Sequence, residues 1–60
     1  MFEIVLYHLE AGKLQVWRKF LVNTWLKSES LIAHFGAIDV RQVLPEYYEY
    51  NELYYTREAV

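Results

Sequence analysis

The sequence predicts an α+β fold: a small antiparallel β-sheet in ββαβ order, with one helix packed on one face. Three observations lead there. Two strand-like runs flank Gly12, a stretch of helical periodicity with a cap signal at each end follows, and a third strand-like run leads into a tail that holds five of the six tyrosines. The 60 residues are expected to form a single small domain, 1–60.

Residues 2–10, FEIVLYHLE, are short and rich in Ile, Val, Tyr and Phe, the composition of a strand. Phe2, Ile4, Leu6 and His8 fall on one face, and Glu3, Val5, Tyr7 and Leu9 on the other. Both faces are largely apolar, so this strand is expected to be central or covered on both sides. EAGK, residues 10–13, is a turn signal because Gly12 accepts a positive φ without steric cost. LQVWRKFLV, residues 14–22, then alternates, placing Leu14, Val16, Phe20 and Val22 together and Gln15, Trp17 and Lys19 opposite, with Arg18 interrupting the apolar face. The two runs read as a hairpin. One continuous helix over 13–35 also matches the spacing of Leu14, Trp17, Leu21, Trp25 and Ile32, but Asn23-Thr24 interrupts it and offers an N-cap. The preferred reading is a helix over 24–35, with Trp25, Leu26, Ile32 and Phe35 on its buried stripe and Gly36 as its C-cap. Ser28 or Ser30 would cap a shorter version over 31–35.

AIDVRQVL, residues 37–44, returns to period two and predicts a third strand, ended by Pro45, which cannot donate to a ladder. In the tail, Pro45-Glu46 is a fair helix start, yet tyrosine favours strands. Extended structure is the expectation for residues 46–57, as an extra strand.

A domain this small buries only about 60% of the surface its unfolded chain exposes. Cysteine is absent, so no disulfide or thiolate metal site can staple it, which suits a reducing cytoplasmic setting. Eleven aromatic side chains supply bulk instead. The N-terminus lacks a basic segment and a cleavage site, and no apolar run reaches the ~18 residues of a membrane span. A complete, soluble, intracellular small protein is expected. Its net charge is −2, with a basic middle (Lys13, Arg18, Lys19, Lys27) and an acidic tail (Glu46, Glu49, Glu52, Glu58 against Arg57).

No catalytic constellation stands out. His8 and Glu10 share a strand face, but a metal needs three or four ligands. Nothing in the spacing joins Asp39 to Glu46 or Glu49, Ser28 and Ser30 lack a nucleophile context, and two glycines make no phosphate loop. The expectation is a non-enzymatic protein with no cofactor and no metal. Trp17, Arg18, Lys19 and Lys27 would suit a small nucleic-acid-binding module, by base stacking between cations. The competing view packs Trp17 under the helix.

PEYYEYNELYYT, residues 45–56, is the strongest anomaly: five phenols and three carboxylates in twelve residues. Tyrosine joins rigid apolar area to a polar tip and is favoured at interfaces. Tyr47, Tyr48, Glu49, Tyr50, Glu52, Tyr54 and Tyr55 are therefore the candidate partner-binding residues. A hairpin turning at Gly12-Lys13, one helix, a returning strand and the tetrapeptide YYEY at 47–50 resemble the small uracil-DNA glycosylase inhibitors of Bacillus phages. The resemblance implies a dimer that imitates DNA to block a repair enzyme. In that family the tyrosines follow the hairpin turn, whereas here they follow the third strand, so no site residue is carried over. The expected function is an inhibitor or modulator of phage or mobile-element type that binds a larger host protein, one that itself handles nucleic acid if the carboxylates imitate phosphates. An obligate homodimeric structural subunit is the further alternative.

Overall fold

The computed structural model describes residues 1–60. Strand β1 (Phe2–Glu10) and strand β2 (Lys13–Val22) form the hairpin, helix α1 spans Trp25–Phe35, strand β3 is the dipeptide Ile38–Asp39, a 3₁₀ turn covers Pro45–Glu49, and strand β4 spans Leu53–Ala59. The sheet order is β2-β1-β4-β3. β1 runs antiparallel to both neighbours, as expected of a central strand, and Ile4, Val5 and Leu6 at its middle are buried. β3 runs parallel to β4, so the sheet is mixed where an antiparallel one was predicted.

The hairpin closes through Ala11 (φ 52°) and Gly12 (φ 77°). Two left-handed residues in a two-residue loop match the right-handed twist of the strands they join. Glycine takes this conformation freely; Ala11 takes it at a cost. Beyond the turn, the register slips between Leu6 and Tyr7: Leu6 faces Arg18, while Tyr7 faces Val16. Trp17 is the inserted residue of a β-bulge. The slip corrects the predicted alternation of β2. Leu14 and Val16 pair with Leu9 and Tyr7 on one face, whereas Phe20 and Val22 pair with Ile4 and Phe2 on the other.

Helix α1 lies across the face that carries Phe2, Ile4, Leu6 and Phe20. Thr24 caps it by accepting the Lys27 N–H at 3.2 Å, and Gly36 ends it in the left-handed region at φ 67°, donating to the Ile32 and Ala33 carbonyls. Both ends agree with the cap residues predicted. The buried stripe does not. Leu26 is 77% exposed and Trp25 50% exposed, and the helix residue that is fully buried is Ser28. The large rings pack along the helix flanks: Trp25 edge-on to Phe2 (5.4 Å between centroids), and Phe35 edge-on to Trp17 (5.6 Å) and tilted against Phe20 (5.8 Å). Between them Arg57 of β4 lies 3.5 Å from the Trp25 ring centroid, donates to Ser28 Oγ at 3.1 Å and pairs with Glu29.

The predicted third strand is cut short by turn chemistry. The Asp39 carboxylate accepts the Arg41 N–H at 2.9 Å, and its carbonyl accepts Gln42 N–H at 3.1 Å. Such an Asx turn competes with ladder formation. The chain therefore leaves the sheet after Val40, whose N–H still reaches the Tyr55 carbonyl. Residues 40–52 then cross over to enter β4 parallel to β3, as a parallel pair requires. The crossover covers the face opposite α1, where Tyr48 meets Tyr54 edge to face, 5.0 Å between ring centroids. The tail is thus half turn, half strand: the extra strand exists, but starts at Leu53.

Candidate functional site

The tyrosine tail divides into an inward set and an outward set. A 3₁₀ helix has three residues per turn, so side chains at i and i+3 eclipse. From Glu46 the residues sort accordingly. Tyr48 and Asn51 point to the protein and are half-buried. Glu46 and Glu49 follow one another at this spacing within the 3₁₀ turn, Glu52 lies three residues on, just beyond its end, and all three are exposed. Tyr47 and Tyr50 form a second row, 51% and 81% exposed. Carboxylates thus run beside a pair of phenols, with about 6 Å between Glu46 and Glu49 at the 3₁₀ rise of ~2 Å per residue.

This tip is tied to the sheet at several points. The Tyr47 carbonyl accepts the Tyr54 hydroxyl at 3.0 Å, Asn51 Nδ2 at 3.2 Å and the Tyr50 N–H at 3.1 Å. The Glu52 carbonyl accepts Leu9 N–H at 3.0 Å from β1. Pro45 sits in the first turn, where its missing N–H costs nothing. No cation lies between residues 42 and 56, and none of Glu46, Glu49 and Glu52 is in an ion pair. The local field is therefore negative and unneutralised.

Of the seven predicted partner-binding residues, Tyr47, Glu49, Tyr50 and Glu52 lie on the exposed tip, with Tyr48 half-buried behind them. Tyr54 corrects the prediction. It is fully buried, so it is a core residue whose ring supports the tip from below. Burial raises its phenol above the ordinary value of 10.0. Tyr55 points to the other face, half-buried beside Asp39, and its phenol is raised first by burial and then by the Asp39 carboxylate. The sequence reading missed Glu46 and Leu44, both exposed at the entrance to the turn. The three-residue repeat of Glu46, Glu49 and Glu52 was the signal that would have found the acidic row.

The other candidates disperse. Trp17 and Arg18 lie on the helix side, with the Arg18 guanidinium 4.9 Å from the Trp17 ring centroid, whereas Lys19 pairs with Val5 on the opposite face. Lys27 stands on the first turn of α1. His8 Nε2 is 3.5 Å from a Glu10 carboxylate oxygen, and no third acidic or imidazole group joins them. Asp39 is spent on its own turn and does not meet Glu46 or Glu49. The surface holds no concave pocket, and no helix is long and apolar enough to cross a membrane. No family model matches this chain, and no curated protein or solved structure matches it.

Proposed function

We propose that this is a small non-enzymatic binding module that engages a larger, basic protein through the tip formed by Leu44, Glu46, Tyr47, Glu49, Tyr50 and Glu52. The observation that carries the reading is Tyr50: a large phenol left 81% exposed on a turn whose backbone is fastened to the core. A pinned aromatic loses little conformational entropy when it docks, which suits an anchor. The carboxylate row beside it is complementary to arginine, whose guanidinium both pairs with carboxylates and stacks on phenol faces. A nucleic-acid-binding surface is the arginine-rich surface this tip fits. Its charge density is lower than that of a nucleic-acid strand, about one per 6 Å against roughly one per 3.4 Å. Charge imitation alone is therefore too weak, and the phenols must carry part of the affinity. An inhibitor or modulator of such a protein, acting in the cytoplasm, is the role that follows.

Capture tests it. Immobilised protein is incubated with lysate of the source cells, and retained proteins are identified by mass spectrometry. Wild type is expected to retain a basic protein that Tyr50→Ala and Glu49→Lys both lose, while their melting temperatures stay at the wild-type value. Equal retention by all three would remove the tip from the interface.

Self-association is a second reading, favoured by the thin interior: five residues are buried, while Leu21, Leu26 and Leu44 stand 63%, 77% and 58% exposed. The accessible surface, 4371 Å², is close to the ~4,200 Å² expected of a monomer of this mass. The association proposed is accordingly reversible, not obligate, and sedimentation across a concentration series distinguishes the two.

A further inference from the structure

We propose that the outer edge of β2 docks an acidic, extended segment of a partner protein, which adds to the sheet as a fifth strand. β2 ends the four-stranded order, so one side of its backbone has no neighbour. It is ten residues long, whereas β3 at the other edge has two. The Leu9 N–H points away from β2, to the Glu52 carbonyl. Leu9 pairs with Leu14, so Leu14 and its like-directed neighbour Val16 turn their N–H groups outward, as alternation in an antiparallel ladder demands. These are donors turned to solvent on the edge backbone, on the turn side of the bulge at Trp17. Edge addition of a peptide draws its affinity from such groups.

Charge selects the occupant. β2 carries Lys13, Arg18 and Lys19, has no acid, and none of the three is in an ion pair. Two copies of β2 paired edge to edge would bring three cations and no acid from each strand into one seam, and like charges there destabilise the pair. A strand bearing glutamates meets attraction where an identical copy meets repulsion. The register also separates a peptide from a nucleic acid. Arg18 lies on the α1 side of the sheet and Lys19 on the other. A nucleic-acid strand stacked on one face reaches one of them. A peptide strand lying in the plane of the sheet sends alternate side chains to both faces and reaches both. The proposal uses none of the tip's residues, so tip variants leave it untouched.

The probe is a labelled octapeptide of repeated Glu-Glu-Val-Thr, which presents glutamate to both faces of the sheet, followed by fluorescence anisotropy at low salt against the full-length protein. Saturable binding is expected at up to millimolar concentration, with slowed amide exchange at Leu14 and Val16. Proline is tolerated where an edge N–H faces solvent, so Val16→Pro should fold and lose about tenfold in affinity, one hydrogen bond's worth. Lys19→Glu, which leaves the backbone intact, should weaken binding by a similar factor and serves if Val16→Pro fails to fold. A lysine-for-glutamate version of the peptide should not bind. The proposal is overturned by absence of binding at millimolar peptide, by wild-type affinity in Lys19→Glu, by tighter binding of oligothymidylate than of the peptide, or by protein that pairs through β2 with itself, seen as amide protection at Leu14 and Val16 that rises with protein concentration.

Discussion

Tyr54 and Tyr50, four positions apart, have opposite physical roles. Tyr54 is buried, and its hydroxyl donates to the Tyr47 carbonyl, which has two further donors. Tyr54→Phe therefore removes one hydrogen bond without orphaning its acceptor and should cost about 1 kcal/mol of stability. Tyr54→Ala empties a core site and should cost about 3–5 kcal/mol. Tyr50→Ala should leave chemical denaturation unchanged within about 0.5 kcal/mol. Denaturant titration of the three variants checks this order. Burial raises the Tyr54 phenol above 10.0, so the folded state holds its proton longer than the unfolded state. The associated stability is fully present below pH 10 and is lost as pH rises through the folded value. Tyr55 shifts the same way, first by burial. The melting temperature should thus fall on the alkaline side of that pH, and more gently in Tyr54→Phe, which keeps only the Tyr55 contribution. Arg57 is the other residue of consequence: it stacks on Trp25 and donates to buried Ser28. Lysine reproduces the charge but not the planar fork, so Arg57→Lys should still lose about 1–2 kcal/mol.

At the level of elements, the hairpin and the helix hold their places by local chemistry, and each has a testable weak point. Ala11 is held at φ 52°, a conformation that Asn accepts more readily. Ala11→Asn should raise stability by about 0.5–1 kcal/mol, read as a higher denaturation midpoint with an unchanged slope. Thr24 accepts the Lys27 N–H, and Thr24→Ala should lower stability by about 1 kcal/mol. These elements were legible in the sequence because their signals are short-range: Gly12, Thr24 and Gly36 act on their immediate neighbours. β3 was not. Val40 and Leu44 continue the period-two pattern, but Asp39 turns the chain and ends the strand at itself. An apolar alternation and an Asx turn compete for the same backbone groups, and here the turn wins.

The whole molecule measures 33 × 17 × 16 Å, with the sheet between α1 on one face and the crossover on the other. The three layers share a very small interior, formed by Ile4, Val5, Leu6, Tyr54 and Ser28. Full burial of an aliphatic side chain contributes about 1.5–3 kcal/mol, so few truncations separate this fold from unfolding. Leu6→Ala should unfold most of the population at room temperature, since a loss of about 2–5 kcal/mol is comparable to what so small a core supplies. Far-ultraviolet circular dichroism checks it. Because the exposed area is that of a monomer, the wild-type fold should persist through a hundredfold dilution, its melting temperature levelling off once reversible association is lost. An obligate dimer would lose stability on dilution by mass action.

Legible in the sequence alone were the α+β class, a hairpin turn within residues 10–13, the helix between Thr24 and Gly36, the central place of residues 2–10 and the acidic, tyrosine-rich character of the tail. All of these follow from periodicity, caps and composition, which act over a few residues. It took the assembled fold to show that the hairpin loop is Ala11-Gly12, with Lys13 already in β2, that β3 runs parallel, that Trp17 bulges and splits the faces of β2, that Ser28 and not Leu26 is the buried helix residue, and that Tyr54 is core while Tyr50 is surface. Tyrosines 48, 50 and 54 look alike to any local pattern. What separates them is the crossover, which turns residues 45–49 into a 3₁₀ helix laid over β4. That placement depends on pairing between Ile38 and Tyr54, and between Tyr7 and Tyr54, contacts made across the length of the chain. Burial is a property of what arrives from elsewhere in the fold, and short-range spacing carries no record of it.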